Sequence, residues 1–95
     1  MTTAVASLLD RILPVLRGYG VQRAGVFGSY ARADATSKSD LDLLVDLPSG
    51  SSLLDLVGLQ LELSEALGID VDVNTYKAIH PLLRDGILAD EIRIL

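Results

Sequence analysis

Two stretches of alternation, residues 40–47 and 69–75, bracket a leucine-rich segment at helical spacing. In the first, Asp40, Asp42, Leu44 and Asp46 fall on one side and Leu41, Leu43, Val45 and Leu47 on the other, the period-2 pattern of a strand with one buried face. In the second, Asp70, Asp72 and Asn74 oppose Ile69, Val71 and Val73. Between them Pro48-Ser49-Gly50 breaks the chain, Ser51 or Ser52 offers an N-cap, and Gly68 stops a helix that reaches about Ala66. Leu53, Leu54, Leu56, Val57, Leu59, Leu61 and Leu63 give that helix more apolar residues than one core-facing stripe requires. Such a chain must combine strands and helices around one core.

The flanking segments extend the same alternation of elements. Val5, Leu8, Leu9, Ile12, Leu13, Val15 and Leu16 predict an amphipathic helix over residues 3–18, capped by Thr2 or Thr3, stopped by Gly18 and Gly20, and open to a kink at Pro14. Residues 21–27 predict a short strand ending at Gly28, followed by a single helical turn from Ser29 to about Ala33 and a polar loop, Asp34 to Lys38. A last helix is expected over roughly 78–90, beginning near Pro81, with a terminal strand in Glu91 to Leu95. His80, just before Pro81, is expected to cap, and Tyr19 and Tyr76 to pack.

At 95 residues, the chain is read as a single domain, 1–95, of a size that buries only about 60–65% of the surface of its unfolded state. Its 49% content of hydrophobic residues exceeds what a lone core of this size absorbs, so part of that surface is expected to meet a partner. The net charge is −5 and the eight basic residues are dispersed, which excludes the electrostatic footprint of a nucleic-acid binder. There is no cysteine, no apolar run near the ~18 residues of a membrane span, and no charged start with a long apolar core at Met1-Thr2-Thr3. The expected location is the cytoplasm, with no membrane partner.

The chemistry is concentrated in Val26-Phe27-Gly28-Ser29-Tyr30-Ala31-Arg32 and Ser39-Asp40-Leu41-Asp42. Aspartates at i and i+2 on a strand share a face and raise each other's proton affinity, a conflict that a divalent cation removes. Magnesium suits the pair, because it takes one or two carboxylates and completes its shell with water and phosphate oxygens. A third carboxylate on a neighbouring strand makes room for two ions about 3.5–4 Å apart. Asp72 is favoured over its parity-mate Asp70, because Val71 and Val73 frame it in a buried stretch where a bare carboxylate would need a cation to offset its desolvation. Gly28 lets a ligand approach the backbone, Ser29 opens a helical turn with free N–H groups, and Arg32 lies one turn on, within reach of a phosphate oxygen. Neither G-x-x-x-x-G-K-[ST] nor G-x-G-x-x-G is present.

The run from Gly28 to Val45, a Gly-Ser, a spacer and then D-x-D, resembles the signature of polymerase-β-like nucleotidyltransferases. In particular it resembles the minimal nucleotidyltransferases of prokaryotes, the MntA-like antitoxins that pair with HEPN-domain toxins. The likeness continues through Leu53 to Leu59 and Val71-Asp72-Val73, covering nearly the whole chain, and departs from many relatives at Ala33, where they carry glycine. It implies an α+β, polymerase-β palm-like fold, a small mixed sheet with helices packed against it. It also implies that Gly28 and Ser29 form the phosphate turn, that Asp40 and Asp42 form the metal pair, and that Asp72 is the third carboxylate. The expected activity is magnesium-dependent transfer of AMP from ATP to a protein hydroxyl, a tyrosine of a HEPN toxin RNase. Two rivals remain: transfer to a small molecule of the aminoglycoside kind, and an antitoxin that works by occlusion without catalysis.

Overall fold

A computed structural model describes residues 2–95 of the chain. Its elements are α1 (Thr3–Gly18), β1 (Arg23–Phe27), α2 (Gly28–Ala31), β2 (Leu41–Asp46), α3 (Leu53–Leu67), β3 (Val71–Thr75), α4 (Arg84–Asp90) and β4 (Ile92–Arg93), with two 3-10 turns, Tyr76–Ala78 and Pro81–Leu83, before α4. The sheet order is β3-β2-β1-β4. β1 runs antiparallel to β2 and β4, whereas β2 and β3 are parallel, as the crossover through α3 requires. This is the expected small mixed sheet of an α+β domain.

Local signals set the helix ends. Thr2 Oγ1 accepts from the Val5 N–H at 3.1 Å and caps α1, which passes through the exposed Pro14 without ending there. Ser52 and Asp55 form a reciprocal capping box at the start of α3, and Gly68 closes it in the left-handed region at φ 68°. The expected helix over 78–90 is instead divided. Pro81 excludes helical geometry at the residue before it, so His80 is extended at φ −62°, ψ 132° and caps the second 3-10 turn through the Leu82 N–H.

The main core lies between α1, α3 and one face of the sheet. Val5, Ile12 and Leu16 of α1 meet Leu59 and Leu63 of α3 over Val26, Leu41, Leu43 and Val45. The opposite face of the sheet is half apolar and half acidic. Leu44, assigned to the polar side by its alternation, is buried there with Phe27 and Tyr76, under Ile79, Ile87 and Leu88 of the returning C-terminal segment. Beyond that cover lie Asp42 and Asp72.

The edge strand β3 is sealed by side chains. Its outward N–H groups donate to α3: Val71 to Ser64 Oγ at 3.2 Å and Val73 to Gln60 Oε1 at 2.9 Å. The apolar excess of α3 faces the other way, with Leu53, Leu54, Val57 and Leu61 outside the core.

Candidate active site

Register puts Asp42 at the centre of the acidic half-face. Its antiparallel neighbour is Phe27 and its parallel neighbour is Asp72. Immediately after Phe27 the chain turns at Gly28, φ 66°, across the Asp42 carboxylate, and a Cβ on Gly28 would overlap Asp42 Oδ2. Glycine is therefore dictated first by a carboxylate of the protein's own β2, besides any ligand that approaches the same backbone.

Asp42 is half-buried, and its proton affinity is raised above the ordinary carboxylate range. Burial is the first cause, followed by repulsion from Asp72 and then Asp40, with Arg32 acting in the opposite sense. The desolvation argued for Asp72 belongs instead to Asp42, because Asp72 is exposed on the edge strand, although Val71 and Val73 beside it are buried. Val71 and Val73 point to the other face of the sheet, and their burial says nothing about the residue between them.

A pocket of about 490 Å³ joins Gly28, Arg32, Asp42 and Asp72 with Asn74. Its remaining wall, Leu83, Ile87 and Asp90, comes from the C-terminal segment. Asp40 and Asp70 border a separate open groove beside α3, so it is Asp72 that shares the pocket with Asp42. Ser29, the second residue of α2, is half-buried and outside the pocket lining. Among the described residues, no three His, Cys, Asp or Glu side chains converge into a closed ligand set.

Arg32 is held by two acids: its Nη1 lies 3.2 Å from Asp90 Oδ2 and its Nε 3.6 Å from Asp34 Oδ2. Its backbone belongs to the end of α2, where the Asp34 N–H donates to the Ser29 carbonyl and the Ala33 N–H to the Tyr30 carbonyl. That is the Schellman pattern, and Ala33 occupies its left-handed position at φ 63°. Glycine, which the resemblance expects here, would adopt it without strain.

Asp90 is itself positioned by its neighbour Glu91. The buried Tyr76 donates its phenolic O–H to Glu91 Oε2, and Arg23 stacks its guanidinium 4.1 Å from the Tyr76 ring centroid while reaching Glu91 Oε1 at 3.5 Å. Burial and Glu91 both push the Tyr76 phenol well above its ordinary pKa. Gly25 faces this cluster, where a side chain would collide with Glu91 and Tyr76. Sequence reasoning treated Tyr76 as packing only and missed Asp90, Leu83 and Ile87. No local pattern marks those three, since their place depends on how the last segment folds back.

The site thus combines paired acidic strands, a glycine turn and an arginine around one pocket, the equipment of a domain that handles polyphosphates. A family model described as nucleotidyltransferase domain matches residues 9–94, and the chain belongs to that family. It is an enzyme of the nucleotidyltransferase class. A Methanocaldococcus jannaschii protein that carries the name protein adenylyltransferase is 53% identical over 85 residues, 90% of this chain and 91% of that one. A solved minimal nucleotidyltransferase superposes with a TM-score of 0.83 at 36% identity, over 96% of this chain and 93% of that chain. A complex of tri-AMPylated Shewanella oneidensis HEPN toxin with MNT antitoxin gives 0.71 at 21% identity, over 93% of this chain and 69% of that chain, a likeness of fold.

Proposed function

We propose that this chain transfers AMP from ATP to a hydroxyl of a partner protein, a tyrosine of a HEPN-type toxin, and that residues 1–95 form a single minimal nucleotidyltransferase domain. The observation that carries the reading is the in-register pair Asp42 and Asp72, closed on one side by the Gly28 turn. The name of the Methanocaldococcus relative supports adenylyl transfer to protein, and the AMPylated toxin in the Shewanella complex supports the partner class.

The donor set fits a hard divalent cation: it is all carboxylate oxygen, and Asp42, whose proton affinity is raised first by burial and then by Asp72 and Asp40, is a carboxylate that a cation would favour in its charged form. Asp42 and Asp72, which share the pocket, would hold magnesium, with Asp40, two residues before Asp42, joining them as the resemblance implies, and bound magnesium would supply charge neutralisation at the triphosphate. Gly28 and Ser29 offer backbone N–H groups to the β- and γ-phosphates, and Arg32 adds a charged donor once it exchanges Asp90 for phosphate. The acceptor oxygen forms its bond to the α-phosphorus as the bond to the β-phosphate oxygen breaks and pyrophosphate leaves. Asp72 takes the hydroxyl proton. Catalysis then rests on positioning and charge stabilisation rather than on a covalent enzyme intermediate.

The test is incubation with ATP, magnesium and a HEPN-domain toxin, followed by intact-mass spectrometry. A gain of about 329 Da per event, as transfer with loss of pyrophosphate requires, is expected on a tyrosine. Asp72→Asn should lower kcat by roughly 10²-fold or more, whereas Asp70→Asn should keep it. A partner that is neutralised yet unmodified would establish occlusion instead, and turnover of a small hydroxylated acceptor without any protein would establish the other rival.

A further inference from the structure

Gly86 stands in α4 without a structural demand for glycine. Every residue but proline forms helix more readily. Its φ lies outside the left-handed region, and a Cβ built on it would meet nothing within 4 Å. Gly25 and Gly28 are the contrast, since a Cβ on either would collide with a side chain. What a side chain at Gly86 would enter is the pocket that holds Asp42 and Asp72. Leu83, Gly86, Ile87 and Asp90 recur at helical spacing and share that wall. The missing side chain therefore leaves a recess between two apolar ones, open to the pocket.

The wall changes character along its length. At one end Asp90 pairs with Arg32 at 3.2 Å, the donor that a phosphate would claim. Four helical residues then carry the wall about 6 Å back to Gly86, close to the length that a ribose sets between the phosphates and the base of a nucleotide. Asn74 lies two residues beyond Asp72 on the same face of β3 and is, among the described residues, the one neutral polar side chain that lines the pocket. Its carboxamide donates and accepts at once, which suits the edge of a nitrogen heterocycle, where amino and ring-nitrogen groups alternate. The edge of a tyrosine ring offers that amide only C–H groups. Apolar walls with one such polar group are the make-up of a small-molecule seat.

We propose that the recess at Gly86 seats the nucleobase of the donor nucleotide between Leu83 and Ile87, with Asn74 meeting the edge of the base. The inference rests on the reading that a nucleoside triphosphate is the donor. Glycine is kept at position 86, at a loss to the helix, because any side chain there would occupy the volume of the base.

Calorimetric titration of the full chain with magnesium tests this, with ATP and inorganic tripolyphosphate as probes, the second carrying the phosphates without ribose or base. Gly86→Leu should raise Kd for ATP by about tenfold or more, leave Kd for tripolyphosphate within about twofold of wild type, and melt at or above the wild-type temperature, since leucine is the better helix former. Gly86→Ala should move ATP affinity and melting temperature in the same directions by less. A loss of ATP affinity in a variant that is no less stable is a result that a merely structural glycine would not give. If Gly86→Leu binds ATP as wild type does, or weakens both probes equally, the seat is refuted, and the proposed transfer stands wherever wild type still adds AMP to its acceptor. If Gly86→Leu keeps its ATP affinity but raises KM for the acceptor protein, the recess belongs to the acceptor and the proposal is overturned. Wild type that binds neither probe removes the triphosphate reading, and this inference falls with it.

Discussion

Replacing Ala33 with glycine should stabilise this protein. Ala33 sits at φ 63°, in the left-handed position of the Schellman motif that ends α2. An L-residue with a Cβ loses about 1–2 kcal/mol in that conformation. Glycine removes the strain but enlarges the conformational freedom of the unfolded chain, which offsets about 0.5–1 kcal/mol. The net gain is therefore about 0–1.5 kcal/mol, an increase of up to roughly 12 °C in Tm for a domain of this size. Urea titration is the cleaner measurement, because an unchanged slope with a higher midpoint isolates native-state stability. The two backbone hydrogen bonds that define the motif remain available to glycine. A lower midpoint in Ala33→Gly would mean that the alanine side chain contributes packing that outweighs the backbone strain, and the argument from φ would be wrong.

Asp42→Asn should abolish nucleotide transfer and yet raise stability at neutral pH, since the native state holds Asp42 above its ordinary pKa of 3.8. The sign follows from linkage: with the folded pKa raised, the folded state binds more protons between the two pKa values, so stability from this group falls as pH rises through that window. A pH series of melts should show the Asn variant losing less stability than wild type between about pH 3.8 and neutrality. Gly28→Ala should cost about 1–2 kcal/mol from φ alone and eliminate activity, because its Cβ would displace the Asp42 carboxylate; a melt and a transfer assay read both. Asp90→Asn should leave Arg32 held by Asp34 alone and lower KM for ATP severalfold, with less than about 1 kcal/mol change in stability for so exposed a pair. An unchanged KM would show that Arg32 does not meet the nucleotide.

The alternation around Asp42 and Asp72 was legible from residue spacing alone, because a strand's two faces are fixed by its period of 2. So were the helix ends, whose capping chemistry is local: Gly68 was singled out, and the caps were narrowed to Thr2 or Thr3 and Ser51 or Ser52, of which the structure uses Thr2 and Ser52. What spacing could not reveal was depth. Asp42 and Asp72 share parity, but Asp42 lies on an inner strand and Asp72 on an edge, so desolvation falls on the first. Leu44 was misread for the same reason: its face is polar at one end and covered at the other by residues some forty positions later. The pocket's third wall, with Asp90 aimed at Arg32, is a property of the chain's return and has no signature within Arg84–Asp90 itself.

Gln60 and Ser64 have a consequence beyond the stability of α3. By occupying the outward N–H groups of β3 they close the longer rim of the sheet to any incoming strand, and the other rim, β4, offers only two residues. A strand approaching β3 therefore finds the Val71 and Val73 N–H groups already taken, which weakens pairing along that edge. Substitutions on the outward face of α3 leave this protection in place as long as positions 60 and 64 keep an acceptor.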